Sequence, residues 1–105
     1  MALHILIVED ERIIAEDIKS MIESPEYHVT EIVDAGEQAL QSLSRVRADI
    51  VLMDIKLQDD MDGLEAAEQI YSQFGIPVVY LTAYADSATI EHIKETAAYG
   101  FIVKP

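Results

Sequence analysis

The sequence predicts a doubly wound α/β sandwich built on a five-stranded parallel sheet. Three observations lead there. Five short apolar runs recur along the chain, segments of helical periodicity separate them, and the runs show no polar alternation. Continuous apolar runs suit strands buried on both faces, and strict strand–helix alternation with right-handed crossovers places helices on each side.

The first run is Leu3 to Val8, and it stops at Glu9, Asp10 and Glu11. A helix follows, with Ile14, Ile18, Met21 and Ile22 on one face at helical spacing, and Pro25 ends it. Val29 to Val33 reads as a second strand, and Glu37 to about Arg45 as a helix with Ala39, Leu40 and Leu43 apolar. Ile50 to Met53 is a third strand ending in Asp54, and the polar stretch 56–63 is a loop. Leu64 to about Phe74 is helical, with Gly75 as its cap. Pro77 opens a fourth run, Val78 to Leu81, which ends at Thr82. Ser87 to about Ala98 is helical with Ile90 and Ile93 inward, and Phe101 to Val103 is the fifth run, ending at Lys104 and Pro105. No linker, repeat or low-complexity stretch interrupts the pattern, so one domain is expected over residues 1–105.

Composition narrows the function. Twenty Asp and Glu against seven Lys and Arg give a formal charge of −13, which disfavours direct nucleic-acid binding and anionic membrane surfaces. With no Cys there is no disulfide framework, thiol nucleophile or cysteine metal site. No apolar run approaches the ~18 residues of a membrane span, and Met1 to His4 lacks the basic start of a signal peptide. The expectation is a cytoplasmic domain.

Ligands of open parallel sheets bind beyond the carboxyl ends of the strands. The residues there are Glu9 and Asp10 after strand one, Asp54 after strand three, Thr82 after strand four and Lys104 after strand five. Asp34 ends strand two, at the border of the sheet. Carboxylates gathered at one edge repel, and a hard divalent cation such as Mg²⁺ offsets that cost. With a hydroxyl and an ammonium nearby, the set suits phosphoryl transfer to a carboxylate nucleophile.

The chain resembles the receiver domain of two-component response regulators. The resemblance rests on VED at Val8–Asp10, LMDIKL at Leu52–Leu57, DGLEA at Asp62–Ala66, LTA at Leu81–Ala83 and FIVKP at Phe101–Pro105, in order along the whole chain. It implies the flavodoxin-like or CheY-like sheet with strand order 2-1-3-4-5. It implies that Asp54 accepts the phosphoryl group, that Asp10 binds Mg²⁺ directly and Glu9 through water, and that the Lys56 backbone carbonyl is a further ligand. Thr82 and Lys104 would contact the phosphoryl oxygens. Phe101 would be the switch aromatic that follows Thr82, with Tyr84 and Tyr99 as competitors, and the Lys104–Pro105 bond would be cis. The phosphoryl donor would be a sensor histidine kinase or a phosphotransfer protein, and the output a downstream protein or a domain elsewhere in the parent protein. The domain would promote its own phosphorylation and slow dephosphorylation rather than turn over a substrate, although the parent could carry a kinase.

Rival readings fit less well. An aspartyl-phosphate hydrolase needs a second carboxylate two residues after its nucleophile, and that position is Lys56. A flavin binder needs a Ser/Thr-rich phosphate loop after strand one, where the chain has Glu-Asp-Glu. A passive interaction module would not need the complete acid–Asp–Thr–Lys set. His4, His28 and His92 fall within strands or a helix, away from the acids, and read as structural with no metal role.

Two departures from the family pattern stand out. The loop LQDDMDG (57–63) lacks the usual Pro and is one residue longer, as in receivers attached to sensory or histidine-kinase modules. The family's fifth helix has no counterpart before Pro105. The expectation is therefore a receiver cut from a larger protein, with uncovered apolar surface on strands one, four and five and on the first helix, which would favour a homodimer. Tyr84, two residues beyond Thr82, is expected to shield the acyl phosphate from water.

Overall fold

The computed structural model describes residues 2–54, 63–82 and 98–103. Eight elements are present in it: β1 (Leu3–Val8), α1 (Arg12–Ile22), β2 (Tyr27–Val33), α2 (Gly36–Arg45), β3 (Ile50–Asp54), α3 (Gly63–Phe74), β4 (Val78–Thr82) and β5 (Ala98–Val103). The five strands form one sheet in the order β2-β1-β3-β4-β5, and every neighbouring pair is parallel. Fold class and strand order are as predicted.

The unbroken apolar runs are explained by the two cores. Along β1, Leu6 and Val8 pack with Val51, Met53, Val78 and Tyr80 against Ala39 and Leu43 of α2 and Ala66, Ala67 and Ile70 of α3. The alternate residues Ile5 and Ile7 pack with Leu52 and Leu81 against Ala15 and Ile18 of α1. Successive side chains of a strand point to opposite faces, so a strand covered on both sides must be apolar throughout. Leu6, Ile7, Val8, Val51 and Met53 are at most 1% exposed. Each such side chain contributes roughly 1.5–3 kcal/mol of hydrophobic stabilisation.

Helix ends follow local chemistry. α3 ends at Gly75, whose φ of +67° is the left-handed conformation that side chains disfavour, and whose N–H donates to the Tyr71 carbonyl at 2.9 Å. The end of α1 is tied to the start of β2 by Glu23. Its carboxylate accepts from the Val29 N–H at 2.9 Å and from His28 Nδ1 at 3.0 Å. These contacts, the Val29 N–H above all, hold the Glu23 carboxyl below its ordinary range.

The structure moves several predicted boundaries. β2 starts at Tyr27 rather than Val29, because Leu3 and His4 pair with Tyr27 and His28. β3 includes Asp54. β5 starts at Ala98 rather than Phe101, pairing Ala98 with Val78 across a register shift. On α1, Ala15 is buried, while Met21, which spacing assigns to the inward face, is 66% exposed. Ile14 and Ile22, as predicted, are partly buried beside Ala15 and Ile18, so the inward face is turned from Met21 toward Ala15. Ile5, Ile7 and Leu81 are buried, contrary to the expectation of open surface on strands one and four. The exposed large apolar side chains of α1 are Ile13 and Met21. The helix predicted over 87–98 lies outside the described residues up to position 97.

Candidate functional site

Parallel pairing fixes what meets at the carboxyl edge of the sheet. Val8 of β1 is in register with Met53 of β3, so Glu9 and Asp54 are the next residues on adjacent strands. Adjacent strands lie about 4.8 Å apart, which brings the two side chains together. Asp10 follows where the chain leaves the sheet for α1. One carboxylate oxygen each from Glu9, Asp10 and Asp54 lies within 4.8 Å of the other two. Glu9 is 1% and Asp54 4% exposed, while Asp10 is half-buried.

Local contacts hold Glu9 in place. Its N–H donates to the Val33 carbonyl at 2.9 Å, continuing the β1–β2 ladder by one residue. Its Oε1 accepts from the N–H of Glu11, the N-cap of α1, at 3.3 Å. An acid at that point also faces the favourable end of the helix dipole. Glu9 and Asp10 border a cleft of about 190 Å³ that extends over Arg12, Asp34 and Gln38, on the β2 side of the cluster. Arg12 Nη2 is paired with Glu16 Oε1 at 2.9 Å, and the Asp34 N–H donates to Gln38 Oε1 at 3.4 Å.

Three clustered carboxylate oxygens, two of them on buried side chains, form a hard, anionic donor set. That set fits Mg²⁺, which takes oxygen ligands and binds through one or two carboxylates plus phosphate oxygens. Imidazole and thiolate ligands, which would favour softer metals, are absent from the cluster.

The structure brings Glu9, Asp10 and Asp54 together as predicted. β4 places Thr82 at the same edge, one residue beyond Leu81, the register partner of Asp54. Val103 pairs with Thr82, and Phe101 with Tyr80. Lys56, Tyr84, Lys104 and the Lys104–Pro105 bond lie outside the described residues. Arg12 and Gln38 line the cleft without having been singled out in the sequence. Their only signal is position, two residues past Asp10 and four past Asp34. Asp34, set aside as a border residue, also lines it.

Comparison with known proteins is decisive at this point. The family model described as response regulator receiver domain matches residues 5–105. The chain belongs to the response regulator receiver family. Similar curated proteins include the transcriptional regulatory protein PdtaR of Mycobacterium tuberculosis, 32% identical over 101 residues, which cover 96% of this chain and 49% of PdtaR. The phyllosphere-induced regulator PhyR of Methylorubrum extorquens is 34% identical over 87 residues, covering 82% of this chain and 33% of PhyR. The receiver thus spans half or less of the length of these relatives. Among solved structures, the receiver domain of a sensor histidine kinase from Pseudomonas aeruginosa PAO1, with a magnesium ion coordinated in its active-site cleft, is 33% identical with a TM-score of 0.84, covering all of this chain and 87% of that one. The signal receiver domain of a modulated diguanylate cyclase from Desulfovibrio desulfuricans G20 is 32% identical with a TM-score of 0.89, covering all of this chain and 83% of that one.

Proposed function

We propose that this receiver accepts a phosphoryl group on Asp54 from the phosphohistidine of a sensor kinase or phosphotransfer protein. The observation that carries the reading is the gathering of the Glu9, Asp10 and Asp54 carboxylates within 4.8 Å at the carboxyl edge of the sheet. An Asp54 carboxylate oxygen attacks phosphorus, forming the acyl phosphate. The bond from phosphorus to the donor imidazole nitrogen breaks, and its electron pair stays on that nitrogen. Glu9, Asp10 and Asp54, with the Lys56 backbone carbonyl, would hold Mg²⁺. When bound, that ion supplies positive charge for the carboxylates and the phosphoryl oxygens. Glu9, fixed by the β1–β2 ladder and the start of α1, keeps the site anionic and in place before any donor arrives.

Thr82 donates to a phosphoryl oxygen and Lys104 pairs with another. Phosphorylation then shifts a two-state equilibrium, read through Thr82 and Phe101, toward the form that a partner or output domain recognises. Tyr84 shields the acyl phosphate from hydrolytic water. The domain covers residues 1–105, acts in the cytoplasm, and is not a turnover enzyme. Self-association through α1, where Ile13 is 80% and Met21 66% exposed, completes the proposal, and light scattering across a concentration series tests that part.

Incubation with a small acyl-phosphate donor and Mg²⁺, followed by intact mass measurement, tests the central step. One added phosphoryl group per chain, lost in Asp54→Asn and without Mg²⁺, is the expected result. Steady hydrolysis with no adduct, or an adduct that persists in Asp54→Asn, would overturn it.

A further inference from the structure

At the end of the sheet opposite the acidic cleft, the β1–β2 register sets His4 directly against His28. Both residues are exposed, and the two rings meet edge to face with centroids 5.6 Å apart at an interplanar angle of 80°. His28 Nδ1 lies 3.0 Å from Glu23 Oε1, while Glu23 Oε2 accepts from the Val29 N–H. An ionised carboxylate is acceptor-only, so the His28–Glu23 contact requires the proton on Nδ1. In the neutral ring this leaves the Nε2 lone pair free to bind a ligand. We propose that His4 and His28 form a binding site for a divalent transition metal of the Zn²⁺ class, with Glu23 orienting His28.

The geometry matches the chemistry. Two imidazoles on one tetrahedral Zn²⁺, with Zn–N of about 2.1 Å, have ring centres roughly 5 Å apart. The observed 5.6 Å separation is within about 1 Å of that spacing. Metal-bound histidines commonly donate their other ring N–H to a carboxylate, the position Glu23 occupies here. The backbone of His4 is anchored too: its N–H donates to Asp49 Oδ2 at 2.8 Å, and its carbonyl accepts from the Asp49 N–H at 2.7 Å. Two protein ligands leave coordination positions for water. The pair is also distinct from the acidic cleft in place and preference. The five residue steps from His4 to Glu9 span about 16 Å of strand, and imidazole nitrogen selects Zn²⁺, Ni²⁺ or Cu²⁺ where the carboxylate cluster selects Mg²⁺. An ion held there would clip the edge strand β2 to β1.

Calorimetric titration of ZnCl₂ into the full chain, with Mg²⁺ in saturating excess, tests the site. One Zn²⁺ per chain is expected. His4→Ala and His28→Ala each weaken binding at least tenfold, Glu23→Gln weakens it about tenfold, and His92→Ala leaves it unchanged. His4→Gln and His28→Gln serve as second variants, and unfolding midpoints without Zn²⁺ verify that all of these proteins are folded. No Zn²⁺ binding up to millimolar concentration would overturn the proposal. So would binding that survives both His4 and His28 substitutions, or binding that is lost in His92→Ala.

Discussion

Replacing Asp54 by Asn should stabilise the metal-free protein while weakening its response to Mg²⁺. The side chain keeps its shape and loses one of three charges whose oxygens lie within 4.8 Å of one another. At that separation and an effective dielectric constant near 20, each like-charge pair costs about 3.5 kcal/mol. Asp54 takes part in two such pairs, with Glu9 and Asp10. Counter-ions and the solvent reaching half-buried Asp10 reduce the cost, so a net gain of about 1–2 kcal/mol is expected. Urea unfolding in EDTA reads this as a higher midpoint at unchanged slope. Adding Mg²⁺ at 100 times its dissociation constant should stabilise the wild type by about 2.7 kcal/mol. It should stabilise Asp54→Asn far less. A variant that is less stable than wild type in EDTA, or that gains as much from Mg²⁺, would refute the electrostatic reasoning.

Three further outcomes follow from the packing and the ion pairs. Ile7, wholly buried between β2, β3 and α1, should cost about 2–5 kcal/mol when cut to Ala, whereas Ile7→Val should cost about 0.5–1.5 kcal/mol, both read from urea midpoints. Ile13 is 80% exposed, so Ile13→Ser should change monomer stability by no more than about 0.5 kcal/mol, and a larger loss would mean that the side chain is covered in solution. The Glu23 carboxyl is held below its ordinary value of 4.5. Its contribution is therefore fully present above that pH and is lost as the pH falls through the lower folded value. Thermal melts of wild type and Glu23→Gln should differ at pH 6 and converge on acidification, and a gap that widened toward low pH would reverse the sign of the argument.

Much of this architecture is legible in the chain because burial on both faces forces an unmistakable pattern. β1 and β3 read as unbroken apolar runs, and the acids that end them are the residues that parallel pairing collects at one edge. Glu9, Asp10 and Asp54 could be grouped before any register was known, since every strand of a parallel sheet ends on the same side. Features that depend on register were hidden. Tyr27 and His28 are exposed on an edge strand, carry no apolar signal, and join β2 only because Leu3 and His4 pair with them. The contact between His4 and His28 is invisible for the same reason, and so the histidines read as structural with no metal role. Ala98 looks helical by propensity, yet pairing with Val78 draws it into β5. On α1 the buried arc is rotated toward Ala15, whose small side chain carries little apolar signal, and away from Met21, an offset that spacing alone does not reveal. Arg12 and Gln38 were missed because this cleft wall is built from the first turns of α1 and α2 where they meet the sheet edge, not from a motif.

The account stands most directly on where phosphate goes. After reaction with a small acyl-phosphate donor, proteolytic mapping of the labelled chain across a Mg²⁺ titration should find one modified residue, Asp54, with labelling that rises and saturates with the metal. A label on any other residue, or Asp54 labelling indifferent to Mg²⁺, would contradict it.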